Sequence, residues 1–451
     1  MGPIHNIIYT GAFLSKEERE KILARIQPRH KNIFAHHLTI KFRPTEEDMK
    51  HVEIGKTISL KVVGVVEDDK AQALVTETDI SGNEHPHITL STAEGVEPVY
   101  SNELLKTTKA QSIEPFTITA TAGFFDGSKV VTEVHPCNTI VLPTRSQPDT
   151  LGAIFILKRF GIYHFPGIEH AGYVIQSTLE QGQNEETLRK QGKLLLDIGG
   201  GLFDHHTAKE KTTASMLVAG YLGVQNDPAL QKLLQFTERD DFYGKGIISE
   251  DALDRAFGLS GLVVNLNKKY SAEPIKVVDI VLPLIEAHYD EEARRTKEMP
   301  KEVEDKLAAG LAEVVSVRQG DKKLRCIYIE SDNASLPGFL RSQLGGRHDL
   351  VVQRMPSGHT NILTRPTKRV DLRNLAMVLR QSELMKANNP KLIPSHILKS
   401  EGRIPEVPEW YYDIATNSIQ NGGVKPQGIS PTRLTRTEIV KLLEIGLSHQ
   451  L

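Results

Sequence analysis

The sequence predicts three successive units: a β-rich α+β unit over residues 1–134, an α/β unit with a parallel sheet over 135–300, and a smaller α/β unit over 301–451. Three observations carry that reading. Short apolar runs crowd the first unit, with few helical patterns between them. From about Asn138 apolar runs alternate with long helical periods, as in a parallel sheet covered on both faces. A charged helical stretch over 289–312 then leads to a last group of strands.

In the first unit Ile7-Ile8-Tyr9-Thr10 is strand-like, and Ser15-Lys16-Glu17-Glu18 reads as a capping box before the helical pattern over 21–26. Strands are expected over 38–42, 58–66, 72–76, 88–91 and 116–120, with a second helix over 101–106. The second unit offers a strand over 139–142, a helix over 150–160, a strand over 194–198 and a helix over 212–222. Within the charged stretch, 297–306 reads as a solvated helix face. The third unit offers strands over 324–330, 350–354 and 360–363, then a tail rich in Pro, Gly and Asn over 404–431.

Composition narrows the class. A chain of 451 residues exceeds what one core usually organises, and 39% hydrophobic with 25% charged residues is ordinary for a globular protein, against disorder or a fibrous repeat. With 55 basic and 57 acidic residues there is no global field toward nucleic acid, so any such contact comes from a local patch. Cys137 and Cys326 stand far apart, without zinc-finger spacing, which fits a reducing cytoplasm. Residues 1–10 lack a signal-peptide pattern and no apolar run approaches about 18 residues, so neither secretion nor a membrane span is expected. No pattern speaks to oligomeric state.

Two tetrapeptides, His37-Leu38-Thr39-Ile40 and His87-Ile88-Thr89-Leu90, each lie on a strand-like run. Side chains alternate on a strand, so each His and Thr share one face while Leu38 and Ile88 point to a core. Two such strands side by side would line a cleft with two imidazoles and two hydroxyls. One imidazole would take a proton, the other would give one to the leaving oxygen, and the threonines would bind phosphate oxygens. His36 and His85 read as flanking surface residues. The other reading is that His37 and His87 are satisfied sheet histidines. The pattern, over about residues 5–130, resembles the two-histidine phosphoesterase superfamily, which includes cyclic phosphodiesterases and the phosphodiesterase domain of fungal-type tRNA ligases. That resemblance implies catalytic His37, Thr39, His87 and Thr89, no metal at this site, and RNA or nucleotide substrates with 2′,3′-cyclic phosphate or 2′-5′ linked ends.

A second signal lies where an apolar run, Leu194-Leu195-Leu196, ends in Asp197 and a short loop containing Gly199-Gly200-Gly201 delivers Asp204-His205-His206. The carboxyl end of a buried parallel strand is where open α/β sheets place their sites. Asp149 and the pair Asp240-Asp241 complete a series of oxygen and imidazole donors, which suits Mn²⁺ or Mg²⁺ better than zinc. Over about residues 134–364 the chain resembles the DHH phosphoesterase superfamily. The resemblance implies an ion held by Asp149, Asp197, His205 and either Asp240 or Asp241, with Asp204 orienting His205 and His206 contacting substrate phosphate. The usual first motif also supplies a His and an Asp six and two residues before its last Asp. Here those places hold Pro143 and Gln147, neither an anionic ligand. That departure leaves two outcomes beside two-ion catalysis: a one-ion site, or a non-catalytic nucleotide-sensing or RNA-binding module.

Downstream, Gly345-Gly346-Arg347-His348 and Ser357-Gly358-His359-Thr360-Asn361 look like a variant of the Gly/His motif of the DHH-associated substrate domain. That implies phosphate contacts from Arg347 and His359; the other reading is turns with solvated basic residues. Trp410-Tyr411-Tyr412 would either stack on a base or pack the tail onto its domain. Together the two resemblances imply a phosphodiesterase acting on RNA ends or nucleotides.

Overall fold

Strand pairing in the computed structural model, which describes residues 7–244, 249–387, 391–422 and 428–448, gives three sheets among the described residues. The chain divides into two compact units, Met1–Tyr289 and Asp290–Leu451.

The first sheet contains β1 (Tyr9–Leu14), β2 (Asn32–Ile33), β3 (His37–Phe42), β4 (Thr57–Glu67), β5 (Ala71–Glu77), β6 (His87–Thr92), β7 (Gln111–Phe125) and β8 (Val130–Val131). Its order is β2-β6-β5-β4-β7-β1-β3, with β8 on β7, and each pair is antiparallel. β7 starts earlier than the expected 116–120. Pro115 lies where the β4–β7 register shifts between Val62 and Gly64, so its missing N–H interrupts no regular ladder there. Helix α1 (Lys16–Arg25) begins at Ser15, whose side chain accepts from the Glu18 N–H, and places Ile22 in a core with Leu38, Leu60, Leu74, Ile88 and Ile118. Helices α2 (Glu46–Lys50) and α3 (Ser101–Thr107) complete this part.

One segment closes the arrangement. Residues 32–35 bond β6, through β2 and through Phe34 N–H to Leu90 O (2.8 Å) and Ala35 N–H to Thr89 O (2.9 Å). Two residues later the same segment is β3, paired with β1. β3 and β6, at distant places in the strand order, therefore lie against each other.

The second sheet is parallel, β10 (Gly172–Ile175)–β9 (Thr139–Leu142)–β11 (Lys193–Leu195). Helix α4 (Pro148–Phe160) follows β9, with Gln147 as N-cap and Pro148 in the first turn, where a missing N–H costs nothing. It is followed by α5 (Glu185–Lys190), α6 (Ala214–Tyr221), α7 (Gln231–Tyr243), α8 (Ala252–Phe257), α9 (Leu259–Lys269) and α10 (Ile275–Ala293). β11 stops short of the expected 194–198. Asp197 takes a left-handed backbone (φ 60°) and its N–H bonds Phe203 O at 3.2 Å, across the glycine loop instead of along a strand.

In the second unit seven strands, β12 (Ala312–Gln319), β13 (Lys322–Glu330), β14 (Leu350–Arg354), β15 (Thr360–Thr364), β16 (Gly402–Ile404), β17 (Val407–Asp413) and β18 (Ser418–Gln420), run in the order β12-β13-β14-β15-β18-β17-β16. The expected tail over 404–431 thus supplies sheet strands; 423–427 lie outside the described residues. Trp410 anchors it, fully buried, its indole N–H donating to Glu383 Oε2 at 3.1 Å. That is packing and not base stacking. No helix among the described residues is long and apolar enough to cross a membrane.

Candidate functional site

Strand alternation builds the first centre. Leu38 and Ile88 are fully buried, so His37 and Thr39, and His87 and Thr89, occupy the opposite faces of β3 and β6. Cross-strand pairing puts Phe13 opposite His37, and Val75 and Ala73 opposite His87 and Thr89. The two imidazoles are held differently. The His87 Nδ1–H donates to His85 O at 2.8 Å, which leaves Nε2 with its lone pair. The His37 ring makes no hydrogen bond among the described residues; instead Tyr9 stacks on it, centroids 4.7 Å apart and planes 20° apart, with Phe13 at 5.5 Å. The Thr89 hydroxyl donates to Ser101 Oγ at 2.9 Å, while Ser81 Oγ–H donates to the Thr39 carbonyl at 2.7 Å. Tyr9, Phe13 and Ser101 carried no pattern of their own, because strand pairing and a distant helix bring them here.

Burial keeps both rings neutral. His37 is pushed down to about 4, first by burial and then by the neighbouring His36 and His87; His87 is lowered too, mainly by burial. A stability prediction follows. An unfolded histidine takes its proton near 6.5, so between there and about 4 the unfolded chain binds more protons at this position. Folding stability from His37 is complete above about pH 6.5 and is lost as pH falls toward about 4. Urea unfolding of wild type and His37→Asn at about pH 7 and about pH 4 should show a wild-type loss exceeding the variant's by roughly 2–3 kcal/mol. Equal losses would mean that the ring is not held neutral.

The second centre gathers at the carboxyl ends of β9 and β11. Asp149, at the start of α4, is 2% exposed and accepts from the N–H groups of Ala214 (2.7 Å) and Ser215 (3.0 Å), so it caps α6. Asp197 Oδ2 accepts the Thr150 hydroxyl at 2.7 Å. The tight loop behind it needs left-handed Gly199 and Gly200 (φ 77° and 69°), and the Gly200 N–H donates to Asp204 Oδ2 at 2.7 Å. His205 lies among three carboxylates. Its Nδ1 is 3.1 Å from Asp197 Oδ1 and 3.8 Å from Asp149 Oδ2, and its Nε2 is 3.4 Å from Asp241 Oδ2. These neighbours, Asp197 first, hold its pKa at about 9 against the effect of burial, while burial pushes the Asp149 carboxyl up.

Two expectations need correction, those for Asp204 and His359, and one open choice is decided. Asp204 bonds His206 Nδ1 (2.7 Å) and the His206 N–H (3.1 Å), and so orients His206 and not His205. Of the acidic pair it is Asp241 that faces His205; neighbouring helix positions point about 100° apart, and Asp240 is buried with Oδ1 unpartnered. His359 is 7% exposed with both nitrogens taken, Nδ1 by Ser357 Oγ and Nε2 by Ile429 O, each at 2.9 Å, so it has no nitrogen to offer a phosphate. Arg347 is exposed on a left-handed turn (φ 51°), its guanidinium donating to Gln343 Oε1 at 3.0 Å. His206 remains largely exposed, with its Nδ1 3.7 Å from Asp197 Oδ1. Thr150 and the α6 N-terminus, which fix Asp197 and Asp149, were missed because hydroxyl and backbone partners leave no motif.

The donor set fits a hard divalent cation. Asp197 Oδ1 and His205 Nδ1 are buried atoms without an aligned hydrogen-bond partner, and atoms of Asp197, His205 and His206 fall within 4.8 Å of one another. One carboxylate and two imidazoles are thus within reach of a single ion, with Asp149 on the same, Nδ1, edge of His205 and Asp241 on its Nε2 edge, a mixed oxygen and nitrogen set of the kind Mn²⁺ accepts.

Comparison with known proteins gives one family. Residues 15–134 match the family described as the fungal tRNA ligase phosphodiesterase domain. At this coarse level the segment is of phosphodiesterase type. No curated protein matches the chain. Among solved structures, an uncharacterized protein from Helicobacter pylori G27 is similar at 10% identity over 69% of this chain and 99% of that one, with a TM-score of 0.21.

Proposed function

We propose that the chain is a phosphodiesterase acting on RNA ends or nucleotides, in which the β3–β6 cleft opens 2′,3′-cyclic phosphates without metal. The observation that carries this is the juxtaposition of His37-Leu38-Thr39 and His87-Ile88-Thr89 on two strands that meet, inside a segment matching a phosphodiesterase domain. His87, with Nδ1–H tied to His85 O, accepts a proton from water at Nε2 as the water oxygen attacks phosphorus. The bond from phosphorus to one ring oxygen breaks, and His37 delivers a proton to that oxygen, leaving a phosphomonoester beside a free hydroxyl. His37 gives up its proton readily in the free chain; the negative charge of the bound phosphate favours the imidazolium and lets it hold one. Thr39 donates a hydrogen bond to a non-bridging oxygen, and Thr89 does so once its proton turns from Ser101 Oγ to the phosphate.

The second centre is proposed to hydrolyse a related phosphoester with Mn²⁺, or Mg²⁺, held by Asp149, Asp197 and His205 Nδ1, with Asp241 at the Nε2 edge of the same ring. When bound, the ion supplies charge neutralisation and an activated water. Asp197 and Asp149 are oriented by Thr150 and the α6 N-terminus, and His206, oriented by Asp204, lies at the exposed side for substrate phosphate. Pro143 and Gln147 favour a second reading, a module that binds a nucleotide and leaves chemistry to the first centre.

The experiment offers 2′,3′-cyclic nucleotides and 5′- or 3′-phosphorylated short RNAs with EDTA or with Mn²⁺. Cyclic phosphate should open at an undiminished rate in EDTA, and a second, Mn²⁺-dependent product should come from the RNAs. Loss of the first activity in EDTA would end the metal-free mechanism; absence of the second would leave the binding-module reading.

A further inference from the structure

A register shift brings one more side chain to the face that carries His37 and Thr39. β3 pairs Thr39 with Gly11, Lys41 with Thr10 and Phe42 with Tyr9, so Ile40 is left over as a bulge. Strict alternation would send Phe42 to the core side with Leu38 and Ile40. The extra residue reverses that. Ile40 and Lys41 both turn to the core-facing side, where they line one cavity with Ile58 and Ala122, and Lys41 Nζ lies 3.6 Å from Asp48 Oδ1. Phe42 is thereby placed on the face of its partner Tyr9, the ring that stacks on His37. It stays 58% exposed, whereas Leu38 is fully buried. Next to it Arg43, in a left-handed turn (φ 48°) with its N–H on Ile8 O at 2.8 Å, holds its guanidinium carbon 5.4 Å from the Phe42 ring centroid.

Building on the phosphodiesterase reading of the β3–β6 cleft, we propose that Phe42 and Arg43 form a platform on which a base of the substrate stacks. The ligand of this site is then an RNA end or a nucleotide, and not a small phosphodiester without a base. Phe42 follows Thr39 by three residues on one strand, roughly 10 Å at about 3.3 Å each. A phosphate at Thr39 and a base on Phe42 are thus separated on the scale of one nucleotide. An aromatic face with a guanidinium beside it is the pairing that single-strand binders use, because every base has a π-face and the cation attracts the phosphate chain. One ring flanked by a cation offers a protein partner too little area for a stable interface.

The test measures, by calorimetry in EDTA, binding of adenosine 3′-phosphate and of an adenosine trinucleotide ending in a 3′-phosphate to the full chain, alongside turnover of the matching 2′,3′-cyclic phosphates. Phe42→Ala should weaken binding by about 5–100-fold, the loss of one stacked base, and Phe42→Trp should restore it. Loss with both probes supports a platform that takes free nucleotides, and loss with the trinucleotide alone supports one reserved for RNA ends. Arg43→Gln should lower the salt slope of trinucleotide binding by about 0.7; an unchanged slope would overturn its part. No saturable binding by wild type, or equal binding by a Phe42→Ala variant whose circular dichroism matches wild type, would overturn the platform. Binding that depends on Phe42 without any turnover of the cyclic phosphates would instead overturn the phosphodiesterase reading and leave the platform standing.

Discussion

His87→Asn is expected to lower turnover of a 2′,3′-cyclic nucleotide in EDTA by about 10²–10⁴-fold, the usual contribution of a positioned proton-transfer group. Asparagine preserves a buried polar side chain but cannot take a proton from water. Because the hydrogen bond from His87 Nδ1–H to His85 O fixes the tautomer without touching substrate, KM should change little. His37→Asn should cost turnover on the same scale, and the double variant little more than either alone, since acid and base serve one step. The assay is initial-rate kinetics with matched circular dichroism spectra. Full turnover in either folded variant would remove the two-imidazole mechanism.

Asp149→Ala should destabilise the first unit by about 2–6 kcal/mol, because two buried N–H groups at the start of α6 lose their acceptor, at about 1–3 kcal/mol each. Asp149→Asn keeps one acceptor oxygen and should fall between wild type and alanine. The same change removes a carboxylate 3.8 Å from His205, so Mn²⁺ affinity should drop in the asparagine variant, which still folds. Urea unfolding and manganese titration together separate the roles. A stability loss with unchanged manganese affinity would make Asp149 a helix cap only, and an alanine variant as stable as wild type would refute the capping role.

Much of the site could be read from residue order, because some of its geometry is local. The two-residue period of a strand puts Leu38 and Ile88 into the core and the His-Thr pairs on the other face, whatever the rest of the chain does. The apolar run ahead of Asp197 likewise announces a buried strand, though it stops at Leu195 once Asp197 enters a left-handed turn that only the loop to Phe203 explains. Partners drawn from afar left no such trace. Asp204 turns to His206 because the backbone of its own loop holds it there, and His359 is consumed by Ser357 and by Ile429, far along the chain. Strands β16–β18 hide in a Pro- and Gly-rich stretch although Val407, Trp410, Tyr411 and Tyr412 favour a strand, because the neighbour that pairs them into the sheet, β15, lies far back in the chain.

Residue order was enough to show which side chains share a face, which residue starts α1, and which donor types are present, since all of these follow from backbone periodicity and residue chemistry; the start of α4 it placed two residues late. Tertiary structure alone decided that β3 meets β6, through a segment bonded to β6 at its beginning and to β1 at its end. It alone selected Asp241 over Asp240, and one free oxygen of Asp197 over the other. The reason is that a choice between neighbouring atoms depends on the direction of a helix face or a hydroxyl set by packing, and packing is a property of the whole chain.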